Sequence, residues 1–159
     1  MDTIPPTNAV CVIKPNQPFN VLLRSLKSIA NINPQGLTPK DQNYVSISKI
    51  EYVTKYNKAQ LDLLFDHDIM FDENLSNTKK LRYRSSFYEM FEDKPVLQLV
   101  ISGQNAIAKL KELVGAKDPK QSTKSDTLRS FYGVDRLDNG FIISESVHEA
   151  QVEIDALFA

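Results

Sequence analysis

Short apolar runs and longer stretches with apolar residues every third or fourth position alternate along the chain. Asn8 to Ile13 (NAVCVI) is compact and apolar and closes on Lys14-Pro15, which predicts a buried strand. Pro18 suits the first turn of a helix, and Leu22, Leu26 and Ile29 make one stripe over Phe19 to about Ile32, ended by Asn33-Pro34-Gln35-Gly36. Tyr44 to Thr54 is rich in Val, Ile, Tyr and Ser with partial alternation, a second strand. Asn57 caps a helix from Lys58 to about Asp66. His67 to Leu81 is polar and irregular, and helical spacing returns through Phe87, Met90 and Phe91 over Arg84 to Glu92.

Val96 to Ile101 (VLQLVI) is almost wholly apolar, as a central strand should be. Gly103 precedes a helix over Gln104 to Val114, and Gly115 stands at its stop position. Asp118 to Asp126 reads as a loop, Thr127 to Tyr132 as a short helix and Phe141 to Ile143 as a fourth strand. Ser146-Val147-His148-Glu149 is a capping-box pattern, and Val147, Ala150, Ile154 and Leu157 line one face of a closing helix. The order predicts a split βαβ doublet. That is an α+β ferredoxin-like βαββαβ sandwich, a four-stranded antiparallel sheet with helices on one face and extra helices inserted, forming a single domain over residues 1–159.

Composition changes this picture little. The 159 residues are 42% hydrophobic and 25% charged with a formal net charge of -1, so no global charge draws the chain to nucleic acid or to a membrane surface. The one cysteine, Cys11, lies in an apolar strand, which excludes an internal disulfide and fits a reducing, cytoplasmic setting. No apolar stretch reaches the roughly 18 residues of a spanning helix.

The candidate chemistry sits in separated motifs. Lys14-Pro15 follows the first strand. Pro95 to Pro119 reads strand, Gly, Asn, long helix, Gly, Asp-Pro, and Thr127-Leu128-Arg129 and then Asn139 through Glu153 follow. Together these resemble the nucleoside diphosphate kinase family, with its Lys-Pro-Asp-Gly, Thr-Ile-Arg and Asn-x-x-His-Gly-Ser-Asp-Ser. From Pro95 to Phe158 the match needs one extra residue, before Thr127, whereas Ile32 to Arg82 does not align.

In that family a histidine carries a phosphoryl group from a nucleoside triphosphate to a diphosphate. The resemblance places Ile142 at this position and Ile143 at the glycine after it. Ile142 has no lone pair and forms no covalent intermediate, so no catalytic residue is expected. Ser144 and Glu153 match the residues that orient the histidine ring, here remnants with no imidazole to orient. For a nucleotide the resemblance implies Lys14, Tyr83, Lys111, Lys117, Arg129 and Asn139. Tyr83 falls near a base-stacking phenylalanine, Lys111 replaces an arginine, and Lys117 replaces a threonine. Ile143 is expected to put bulk where the terminal phosphate would lie.

The remaining signals read blandly. His148 is expected to be exposed at a helix start, and His67, among Asp66, Asp68, Asp72 and Glu73, to lie in an acidic solvated segment with no metal. Lys79 to Arg84 is a basic cluster suited to a surface or protein partner. The expectation is a catalytically inactive nucleoside diphosphate kinase-like domain, a structural or regulatory protein-interaction module of the cytoplasm, monomeric or dimeric. The resemblance to silent superfamily domains points to ciliary, cytoskeletal or microtubule-associated partners. A nucleoside di- or triphosphate with magnesium is the candidate ligand, and no other cofactor, nucleic acid or membrane is expected. The alternatives are a kinase or nucleotide-dependent phosphotransferase with residual activity through another phosphoacceptor, and a nucleotide sensor without turnover.

Overall fold

The computed structural model describes residues 6–15, 20, 45–121 and 127–158. Four strands make one sheet: β1 (Thr7–Ile13), β2 (Val45–Val53), β3 (Val96–Gly103) and β4 (Phe141–Ile143), in the order β2-β3-β1-β4 with every pair antiparallel. This is the ferredoxin-like order that the strand and helix sequence predicts. β3 is interior, as its apolar run requires, and six of its eight residues are buried. The helix expected over residues 19–32 lies, apart from residue 20, outside the described residues.

The strand period of two divides the core. Ala9, Cys11, Ile13, Phe141 and Ile143 face one side, where they meet α3 (Ala106–Val114) and Leu128 of α4 (Leu128–Tyr132). Val10, Val12 and Ile142 face the other, against α1 (Lys58–Phe65), α2 (Asn77–Phe91) and α5 (Val147–Leu157). Helices thus cover both faces, not one, because the inserted pair α1–α2 and the closing helix have apolar faces of their own to bury. Phe65, Phe87 and Phe91 form the aromatic centre of that second layer, at 5.3 and 5.0 Å between successive rings. The polar Gln98 is tolerated inside the sheet because its partners are complete. It accepts from Tyr56 Oη at 2.5 Å and donates to Leu157 O at 2.8 Å and Glu51 Oε1 at 3.0 Å.

Caps set the helix starts. Asn57 and Gln60 satisfy each other's backbone at α1, and Thr127 and Ser130 do so at α4. At α5 Ser146 accepts from Glu149 N, but Glu149 turns its carboxylate to Glu145 N instead of closing the box. The segment expected to be irregular is ordered. Residues Asp66–Met70 form a π-helical turn, and α2 begins at Asn77, capped by Ser76, seven residues before Arg84. Only Phe87 and Phe91 of α2 are buried, so its first half shows no apolar period. No described helix is long and apolar enough to cross a membrane.

Candidate functional site

Ile142, where the resemblance calls for a nucleophile, pairs with Val12 across the β1–β4 ladder and is 2% exposed within the second core layer. Ile143 points the other way, pairs with Cys11 across the same ladder and is buried in the first core layer. The Cys11 thiol is pushed up to about 12 by burial and is inert packing.

The cations implied for phosphate are all engaged within the chain. Lys14 is fully buried, and its ammonium donates to Asp68 Oδ2 (3.0 Å), Leu137 O (2.8 Å) and Asn139 Oδ1 (2.8 Å). Burial holds its pKa below the usual lysine range despite the Asp68 charge. Asn139 spends its amide on Lys117 O at 2.8 Å. Arg129 donates through Nη1 to Gly115 O and through Nη2 to Phe141 O, each at 2.9 Å. Its Nε is sealed without a partner, and burial lowers the guanidinium to about 10. Lys111 and Lys117 grip one carboxylate, Glu145, at 2.6 and 3.1 Å. Burial pushes Glu145 up, but the two lysines outweigh it and hold the carboxyl below its ordinary value.

Tyr83 stands apart, half-buried on α2 against the second core layer. Two surface depressions of about 410 and 440 Å³ flank Tyr88 on the α1–α2 pair, and none of the six residues implied for a nucleotide lines either.

The largest correction concerns the acidic segment. The π-helical turn buries His67 and Asp68, and Asp72 just beyond it is buried too, while Asp66 and Glu73 stay exposed. Asp68 bridges Lys14 and Arg136, whose Nη1 lies 3.3 Å from Asp68 Oδ1. Arg136 also donates to the Asp68 carbonyl and, at 3.0 and 3.1 Å, to Asp72 Oδ2. Asp68 and Asp72 were expected in a solvated segment, and Arg136 carried no motif that marked it.

Ser144 and Glu153 also have an imidazole after all. Glu153 Oε2 lies 2.8 Å from His67 Nδ1, and its Oε1 accepts from Ser144 Oγ at 2.5 Å. Ser144 Oγ in turn accepts from Val10 N at 2.8 Å. Glu149 Oε1 is 3.7 Å from the same Nδ1. The ring thus comes from the α1–α2 connection and not from β4. His148, by contrast, is exposed as expected.

A pH dependence follows. Burial disfavours the imidazolium, but Glu153, Glu149 and Asp66 outweigh it and raise His67 above 6.5. A raised base stabilises the fold fully below its unfolded pKa, and that contribution fades as pH rises through the folded value. Glu149, raised by burial, by Glu153 and by Glu145, acts in the same direction. The urea midpoint is therefore expected to fall as pH rises above 6.5, and His67→Gln should flatten that slope. An unchanged slope in the variant would reject this assignment.

The family model described as "Nucleoside diphosphate kinase" matches residues 8–159. A nucleoside diphosphate kinase of Haemophilus ducreyi is 37% identical over 65 residues, 41% of this chain and 46% of that relative's length. One from Actinobacillus pleuropneumoniae is 26% identical over 149 residues, 94% of this chain and 92% of the relative. Among solved structures, the Aquifex aeolicus nucleoside diphosphate kinase superposes with a TM-score of 0.71 at 17% identity, covering 97% of this chain and 96% of that one. That of Encephalitozoon cuniculi gives 0.68 at 18% identity, covering 96% and 88%.

Proposed function

Because the chain belongs to the nucleoside diphosphate kinase family, we propose that it is a catalytically inactive member, a protein-interaction module whose nucleotide cleft is closed by its own side chains. The observation that carries this reading is Ile142, an apolar residue packed against apolar neighbours where the resemblance calls for a nucleophile. The cleft gives further support. A magnesium-bound di- or triphosphate does not fit the residues as they stand. Lys14 has no free donor, and Lys111 and Lys117 would first have to release Glu145. For a partner, α2 offers exposed Leu81 among the basic Lys79, Arg82 and Arg84.

The test is transfer from radiolabelled nucleoside triphosphate to a second diphosphate, with thermal shift in the presence of magnesium and diphosphate. No transfer above background and no stabilisation are expected. Transfer that disappears in a Lys111→Ala/Lys117→Ala variant would overturn the reading; both lysines are partly exposed, so the variant keeps its core. Stabilisation without transfer, lost in the same variant, would make the domain a nucleotide sensor.

One observation favours a second reading, residual phosphotransfer through another acceptor. His67 has its Nδ1 fixed by a carboxylate, an arrangement that orients a ring for chemistry at the other nitrogen. That reading requires acid-labile label on the protein, absent from His67→Gln.

A further inference from the structure

A buried histidine needs one carboxylate for an ion pair, and Glu153 supplies it. Glu149 is a second carboxylate on the same ring, in addition to accepting from Glu145 N at 3.2 Å. It comes from the next turn of α5 to within 3.7 Å of the same nitrogen, half-buried, where it meets Glu153, Glu145 and Asp66 as like charges around a single imidazole. Glu145 is already paired with Lys111 and Lys117, which leaves two carboxylates, Glu149 and Glu153, sharing one imidazole. From this geometry we propose that His67, Glu149 and Glu153 form a binding site for a divalent ion of the zinc class, with three protein ligands and one open position.

The dimensions fit. Bonds of about 2.0–2.2 Å from a tetrahedral zinc to nitrogen and oxygen set ligand atoms about 3.3–3.6 Å apart. His67 Nδ1 stands 2.8 Å from Glu153 Oε2 and 3.7 Å from Glu149 Oε1, and all three ligand atoms lie within 4.8 Å of one another. Small side-chain shifts admit the ion. An imidazole in the set favours zinc, copper, nickel or iron over magnesium and calcium. Outer hydrogen bonds are already made: Ser144 Oγ donates to the second oxygen of Glu153 at 2.5 Å, and Glu145 N donates to Glu149 Oε1 at 3.2 Å. Such contacts fix ligand orientation and raise affinity. Two of the ligands are nearly sealed, with His67 and Glu153 side chains 6% and 1% exposed.

Binding takes the proton from Nδ1. The ring ligates as neutral imidazole with its proton on Nε2, so a proton leaves whenever His67 starts charged. The inference is independent of either functional reading, because it concerns the ion alone. The test uses the full chain, stripped with chelator and titrated with cobalt(II) at neutral pH. One equivalent is expected to give the visible absorption of a tetrahedral cobalt site, displaced by zinc and weakened as pH falls. Glu149→Gln, at a partly exposed position that leaves the core intact, should weaken binding at least about tenfold; His67→Gln should abolish the spectrum, and His148→Ala should leave it unchanged. Absence of the absorption, or a spectrum unaltered by Glu149→Gln and His67→Gln, would overturn the site.

Discussion

Replacing Asp68 by alanine is expected to lower the unfolding free energy by about 3–5 kcal/mol, because it leaves buried Lys14 without a counter-charge and takes one of two carboxylates from Arg136. Lys14 and Arg136 have side chains 0% and 4% exposed, and Asp68 lies 3.0 and 3.3 Å from them. Arg136 keeps Asp72, but Lys14 keeps only neutral acceptors, Leu137 O and Asn139 Oδ1. Urea unfolding with an unchanged denaturant slope would read the loss. Asp68→Ala combined with Lys14→Met should recover part of it, since removing both charges is gentler than removing one. A loss below about 1 kcal/mol would mean that the pair behaves as a solvated surface bridge. The same carboxylate sets an acid limit. Burial raises its pKa, but the two cations outweigh this and hold it below 3.8, so its contribution is present above that pH and vanishes as pH drops through the depressed value.

Gly115→Ala should cost about 1–3 kcal/mol through the backbone alone, since Gly115 has φ +92°, a conformation that side-chain-bearing residues avoid. A Cβ there would also lie 2.4 Å from Thr127 Oγ1. Thr127 caps α4, so displacing its hydroxyl adds about 1 kcal/mol. Gly115 O holds Arg129, which ties this turn to the buried guanidinium. The thermal midpoint should fall by about 2–4 °C for each kcal/mol at this chain length. An unchanged midpoint would show that α3 and α4 can part without loss.

Strands and caps were legible because each is written locally. The apolar run of β3, the Gly115 stop and the Ser146 cap carry their own signals. β4 was legible from the apolar run Phe141 to Ile143. The inward face of Asp66–Met70 was not, because Asp and His letters read as solvated until their partners just after β1, on α5 and in the Arg136 loop arrive from up to 86 residues away. The same non-locality hid the engagement of Lys14, Lys111 and Lys117. A cation's identity is in the sequence, whereas its neutralisation is a property of the fold.

The π-helical turn has one more implication. Successive residues of an α-helix diverge by about 100° around the axis. The wider turn holds two neighbours, His67 and Asp68, inward against different partners, one on α5 and one at the end of β1. Such a turn amounts to a helix with a single residue inserted. The two polar centres therefore share one origin in chain length, and a one-residue deletion would unmake both together.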